Sequence, residues 1–304
     1  MVGPTYPHRG GIVHYTHALV AALAKRPDTS VELHSYSRLF PKLLYKGGAY
    51  EGTQAFAIEG VPVQRLLTYG DPFSWRRGAH AMRGPDVVHF QTWTPFLAPS
   101  MMGVARRVPG SRLVATVHNI VPHERAHRLL SPAARRLMRR MDAVIVHSPS
   151  LIEEAERELR VPRDRIHVVP HGPYDGFDRG RFTRAEARKR LGLAEDDVAL
   201  LQFGIVRDYK GLDVAIEALA LLPPRYKLVI AGECWEDWSR YQKLVEERGL
   251  ASRVVARVVE LQAMGFDWVA LNATAISVAP LASDHSVTSR ASSPSSVKSS
   301  RPSV

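Results

Sequence analysis

The 304-residue sequence holds a single cysteine, Cys234. One thiol builds neither a disulfide framework nor a cysteine-rich metal site, and such sparing use suits a reducing compartment. Acidic side chains are also in short supply: 30 Asp and Glu stand against 41 Lys and Arg, a net charge of +11. At least one surface therefore prefers anions, and nucleic acid, anionic lipid and phosphorylated small molecules all qualify. No apolar run approaches the ~20 residues of a membrane span, and no basic segment followed by an apolar signal core opens the chain. A cytoplasmic protein is the expectation. The sequence lacks G-x-G-x-x-G and lacks the G-K-[ST] of a P-loop. Those absences count against a dehydrogenase or an NTPase. Nor is there a nucleic-acid-reading module with aromatic stacking platforms, so nucleic acid is not expected as a partner.

What is present is a composition of 45% apolar and 23% charged residues, that of a soluble globular protein long enough for two ordinary domains. Short β-rich apolar runs at 31–35, 61–67, 87–90, 113–118, 143–147 and 166–169 alternate with helical patterns at 12–25, 132–141 and 150–159. After a polar stretch the rhythm resumes with strands at 198–203, 227–231 and 254–259 and helices at 212–222 and 238–248. Runs such as "DAVIVHS" and "YKLVIAG" are apolar throughout, as expected when helices cover both faces of a parallel sheet. Alternation of this kind predicts a doubly wound α/β architecture. The Gly-, Pro- and charge-rich stretch at 170–190 reads as the boundary between two such domains.

The stretch "QFGIVRDYKGLDVAIEALALL" (202–222) sets two strong cations in the turn between a strand and a helix. In the helix, Leu212, Ala215, Ile216, Leu219 and Leu222 share one face. In open α/β sheets ligands bind beyond the C-terminal strand ends, where helix N-termini offer unpaired N–H groups and partial positive charge. Arg207 and Lys210 are placed to add charge-assisted hydrogen bonds to a diphosphate. Gly204 would allow close backbone approach, and Gly211 would let the helix begin without a side-chain clash. A solvated turn whose cations face water remains the alternative at this level.

"FGIVRDYKGLDVAIEAL" resembles the phosphate-binding stretch of retaining glycosyltransferases of the GT-B fold, in particular glycosyltransferase family four. "GPTYPHRGGIVHYTHALVAAL", "VATVHNIVPHE", "DAVIVHSPSLIEEA", "IHVVPHGPYD" and "YKLVIAGE" match in the same order, covering residues 1 to about 255. The resemblance implies two Rossmann-like domains facing a cleft, with a nucleotide sugar (UDP- or GDP-linked) held mainly by the C-terminal one. The implied division is an acceptor-side domain at 1–174, a linker at 175–195, a partial donor-binding domain at 196–282 and a tail at 283–304.

By the same resemblance, Arg207 and Lys210 would neutralise the departing diphosphate, so that no metal or other cofactor is required. Gly10 and Gly11 match a glycine pair at the start of a helix facing the donor. His118, ending the strand "LVATVH", matches a histidine that meets the transferred sugar near its anomeric carbon. Ser148 and His171 sit at expected strand ends on the donor side, and His123 and Glu124 would face the acceptor. The expected activity is metal-independent transfer of a hexose-type sugar, with retention, to a saccharide or lipid-linked acceptor.

A second cationic feature is 123–141, with six arginines and one glutamate. A helix there would set Leu137, Met138 and Met141 side by side, rimmed by Arg135, Arg136, Arg139 and Arg140. Such a surface suits an anionic membrane, whereas an ordinary helix packed on the sheet would use the same apolar residues.

Both ends depart from the family pattern. Only Met1 and Val2 precede the first loop, where a strand of five or six residues is usual. No glutamate follows Glu260, although an E-x7-E-like region should read the donor ribose and sugar. Residues 283–304 contain ten serines and no Leu, Ile or Phe, the composition of a disordered segment. The expectation is a chain truncated at both ends, with a non-catalytic remnant that binds anions or membrane as the alternative function.

Overall fold

The structure is a computed structural model that describes residues 1–8, 10–41, 58–82, 84–121, 131–172, 183–232, 234–258 and 275–277. Two compact units divide the chain, Met1–Phe177 and Asp178–Val304.

The first unit contains α1 (Gly11–Ala24), β1 (Leu33–Arg38), β2 (Val63–Thr68), α2 (Pro72–Ala81), β3 (Val87–Thr92), α3 (Ala98–Ala105), β4 (Arg112–Val117), α4 (Ser131–Met138), β5 (Ala143–Val146), α5 (Ile152–Leu159) and β6 (Ile166–Val168). Strands β3, β4, β5 and β6 pair in that order and all in parallel, and β1 pairs in parallel with β2. Val2 joins the two sets. It bridges His34 on one side and Phe90 on the other, with Val2 N donating to the His89 carbonyl at 2.7 Å and Gln91 N donating to the Val2 carbonyl at 2.9 Å. The first residues thus occupy the strand position from which the loop to α1 departs, and Val2 is wholly buried there.

Large side chains fill the core beneath. Tyr36, Phe90, Leu97, Met101, Leu137 and Met141 are each almost wholly buried in one cluster with Val144 and Val146. Leu137, Met138 and Met141 therefore face the core, while Arg136, Arg139 and Arg140 are exposed. The apolar face of α4 is consumed by packing, and the helix stops at Met138 rather than continuing to 141.

The second unit contains α6 (Arg184–Leu191), β7 (Val198–Phe203), α7 (Leu212–Leu221), β8 (Tyr226–Gly232), α8 (Ser239–Glu247), β9 (Val254–Val258) and β10 (Ala275–Ser277). Its sheet is again parallel, in the order β10-β7-β8-β9. Along β8, Leu228 and Ile230 join one cluster with Leu212, Ile216 and Leu219 of α7 and Tyr241 of α8. Val229 and Ala231 join another with Leu191 and Leu193 beside α6. Alternate residues of one strand thus feed two cores, which is why the run is apolar throughout.

Three helices were not expected from the sequence. α2 begins where the Asp71 side chain accepts from Phe73 N at 2.9 Å with Pro72 in the first turn. α3 is buried along nearly its whole surface, which erases a helical stripe. α6 lies inside the stretch read as linker. A Thr183–Glu186 capping box starts it, Gly192 in the left-handed region ends it, and only Ala187, Arg188 and Leu191 are buried.

Candidate functional sites

In the first unit, chemistry gathers at the C-terminal edge of the sheet. Gln91 is the next-to-last residue of β3, and His118 and His147 directly follow β4 and β5. His171 lies just beyond β6. Tyr15, on the second turn of α1, packs among all three imidazoles, its ring 4.8 Å from His118, 5.1 Å from His147 and 4.9 Å from His171. The Tyr15 hydroxyl in turn hydrogen-bonds the Thr116 side chain.

A hydrogen-bonded row runs through the cluster. His147 Nδ1 lies 3.0 Å from the Val169 carbonyl, His147 Nε2 lies 3.3 Å from His118 Nδ1, and His118 Nε2 lies 2.9 Å from Gln91 Oε1. Two neutral imidazoles supply two N–H donors for these three contacts. The row closes without an added proton when Gln91 presents its amide N–H₂ to His118. Burial, then the neighbouring His147, His171 and His89, push the His118 pKa down to about 3. His118 is therefore a neutral hydrogen-bonding group at physiological pH rather than an imidazolium. Among the described residues, no three His, Cys, Asp or Glu side chains are placed to hold a metal ion.

The other residues singled out in this unit divide. Gly10 (φ 122°) takes a backbone shape that L side chains rarely adopt, and Gly11 opens α1. Ser148 is a local cap: its hydroxyl accepts from Ser150 N at 3.3 Å. His171 joins the Tyr15 cluster from an exposed position. Arg135 Nε donates to the Glu158 carbonyl at 2.7 Å, tying α4 to α5. These two residues border a cavity of about 570 Å³ that Thr92, Trp93, Asn119 and Met138 also line. His123 and Glu124 lie outside the described residues, as does the serine-rich tail.

The sequence reading missed Tyr15, Gln91 and His147. A fully buried glutamine inside the strand "VVHFQT" was the available signal for Gln91. A second group near α1 also went unread. Tyr6 Oη lies 2.8 Å from His14 Nδ1, and Thr5 Oγ1 contacts His17 Nε2. Burial, His14 and Arg65 push the His17 pKa down to about 4.

In the second unit, the turn from β7 to α7 carries the cations. Gly204 and Gly211 both have positive φ, 102° and 66°, backbone shapes that L side chains rarely adopt. Between them Arg207 is extended, and Asp208–Lys210 form a single tight turn. The Lys210 side chain folds back over Gly204: a Cβ placed there would lie 3.5 Å from Lys210 Nζ. Burial holds the Lys210 ammonium below the ordinary lysine range. The guanidinium of Arg207 lies 4.4 Å from the ring centroid of Trp235, in the loop after β8. The acidic neighbours are gathered on another cation: Arg240 Nη2 donates to Asp208 Oδ1 at 3.0 Å and lies 3.9 Å from Asp213 Oδ2. The structure thus brings together the four residues expected here, Gly204, Arg207, Lys210 and Gly211, and adds Trp235. Two cations on one glycine-bounded turn are suited to a polyanion such as a diphosphate.

The Glycosyltransferase Family 4 model matches residues 9–173, more than half of the chain, and the Glycosyl transferases group 1 model matches residues 183–256. A D-inositol 3-phosphate glycosyltransferase of Xylanimonas cellulosilytica is 31% identical over 178 residues, covering 52% of this chain and 40% of that protein. One of Acidothermus cellulolyticus is 27% identical over 274 residues, covering 81% and 60%. The chain thus spans about half the length of these two relatives. Among solved structures, Anabaena HepE in complex with UDP and glucose superposes with a TM-score of 0.64 at 16% identity, over 90% of this chain and 71% of that one. At that identity the likeness is one of fold.

Proposed function

The chain belongs to Glycosyltransferase Family 4, and from that premise we propose that it transfers a sugar from a nucleotide-diphosphate sugar to a saccharide or lipid-linked acceptor. The bond from the anomeric carbon to the diphosphate breaks, and a new bond to the acceptor oxygen forms on the same face. The acceptor's proton leaves with the nucleoside diphosphate.

One observation carries this reading: Arg207 and Lys210 stand on the glycine-bounded turn at the head of α7. Charge builds on the diphosphate as the glycosidic bond breaks, and fixed cations stabilise that charge without reorganising. The second unit is then the donor side. In the first unit, neutral His118 is the group that meets the transferred sugar, through hydrogen bonding rather than charge. Gly10, Gly11 and His171 stand beside it on the same sheet edge, and Ser148 shapes the turn that presents His147.

A membrane-facing role for α4 and the turn after it rests on the exposed Arg136, Arg139 and Arg140, because Leu137, Met138 and Met141 are buried. Among the described residues no helix is long and apolar enough to cross a membrane. We infer at most an electrostatic contact with an anionic leaflet. Co-sedimentation with anionic vesicles that is no greater than with neutral ones removes that contact.

Calorimetric titration with UDP and GDP tests the main proposal. Hydrogen bonds to charged groups contribute about 1.5–3 kcal/mol, so each alanine replacement of Arg207 or Lys210 should weaken binding by about 10–100-fold. Equal affinities for the wild type and the double variant would sink the diphosphate site.

A further inference from the structure

We propose that Trp235 is a positioning residue that holds Arg207 in its diphosphate-binding pose. The inference rests on the transferase reading above and adds to it a residue outside the strand–turn–helix unit.

The loop after β8 is fastened to the loop after β7 at several points. Val206 and Cys234 form a parallel bridge, and Trp235 N donates to the Val206 carbonyl at 3.3 Å. One residue further along, Asp208 N donates to the Glu236 carboxylate, whose other oxygen accepts from Tyr241 Oη at 3.1 Å. At the base, the two strands approach so closely that a Cβ on Gly232 would fall 2.0 Å from the Gly204 carbonyl oxygen. These contacts fix the Trp235 backbone in register with Val206, one residue before Arg207. The indole is half-buried, and the guanidinium carbon lies over its ring, 4.4 Å from the centroid.

A guanidinium resting on an aromatic ring can engage it through its face. The N–H donors lie in its plane and point from its edge, which is how arginine recognises phosphate oxygens. An arginine otherwise samples many rotamers, and a diphosphate must freeze one of them on binding. A flat aromatic platform limits that sampling beforehand, so less affinity is lost to ordering. Tryptophan is the strongest such platform among aromatic side chains. The rival role for this half-buried indole is to stack on the nucleotide base itself.

The test measures binding of UDP, uridine and inorganic pyrophosphate to the full chain by calorimetry, for wild type, Trp235→Leu, Trp235→Phe and Arg207→Ala. Trp235→Leu is expected to weaken UDP and pyrophosphate by about 3–10-fold each while uridine is unchanged. Trp235→Phe, which retains a ring and the fold, should recover part of that loss. In the Arg207→Ala background, Trp235→Leu should have no further effect. Equal losses for uridine and UDP would assign the indole to the base and overturn the proposal. So would UDP affinity that depends on Arg207 but not on Trp235, which leaves the transferase reading intact. A wild type that binds neither UDP, GDP nor pyrophosphate overturns the transferase reading and the role of Trp235 with it.

Discussion

His118 Nδ1 and His147 Nε2 face each other across 3.3 Å, ring nitrogen to ring nitrogen. One proton serves that contact. A second there would set two N–H donors against each other and charge one of the rings, in a cluster already packed edge-on against Tyr15. The neutrality of His118 is thus a consequence of packing as well as of burial.

Acid should therefore destabilise the protein early. The His118 pKa is depressed to about 3, and those of His17 and His89 to about 4, against an ordinary value of 6.5. Below pH 6.5 the unfolded chain takes up protons that the folded chain refuses. Stability is then full above that pH, falls as pH drops, and is wholly lost only below the folded values. Each such histidine adds a slope of ~1.4 kcal/mol per pH unit. Urea unfolding from pH 7 to 4 should show the slope, and His118→Gln should flatten it by about one proton. An unchanged slope would show that His118 titrates normally.

The same pair makes a catalytic prediction. Removing one preorganised hydrogen-bonding group from a transition-state site costs about 100-fold in rate. His118→Ala should lower nucleotide-sugar turnover by that order. His147→Ala, which leaves the His118 ring in place but unpinned, should lose about 10-fold through misplacement. Release of UDP or GDP from the corresponding nucleotide sugars measures both. If the two variants lose equally, His147 touches the substrate itself.

How much of this was legible beforehand follows physical lines. The strands could be read because helices cover both faces of each sheet and leave apolar runs such as "YKLVIAG". Helix α7 could be read because one stripe, Leu212, Ala215, Ile216 and Leu219, is buried and the rest is not. α3 hid because it is buried nearly all round, and α6 because "RAEARKRL" buries so little. Arg207, Lys210 and His118 stood in recognisable local contexts. Their partners did not: Tyr15 lies 103 positions from His118, and Trp235 lies 28 positions from Arg207. No local pattern encodes such pairs, because the parallel sheet brings them together.

Lys210 offers an alkaline test. Burial favours its neutral form and holds its pKa below the ordinary value of 10.5. Above the shifted pKa the ammonium is lost, and with it one of the two charges facing a diphosphate. UDP affinity should therefore fall with rising pH before an ordinary lysine would titrate. Lys210→Arg, which keeps its charge, should hold its affinity across the same range. Parallel pH profiles for the two proteins would remove Lys210 from the site.

The close approach of the two turns can be probed directly. A Cβ on Gly232 would fall 2.0 Å from the Gly204 carbonyl oxygen, a backbone atom that cannot swing aside. Gly232→Ala must force the ends of β7 and β8 apart, at a cost of about 3 kcal/mol. Gly249→Ala is the control: its φ is 64°, but nothing lies within 4 Å of the added methyl. It should cost only the ~1 kcal/mol of a left-handed alanine. Urea unfolding of the two variants separates crowding from backbone strain. Because the same displacement shifts Gly204 and the Val206–Cys234 bridge, Gly232→Ala should also weaken UDP binding at pH 7, whereas Gly249→Ala should not. Equal UDP affinity in the two variants would mean that the spacing between the turns does not set the geometry of the cationic loop.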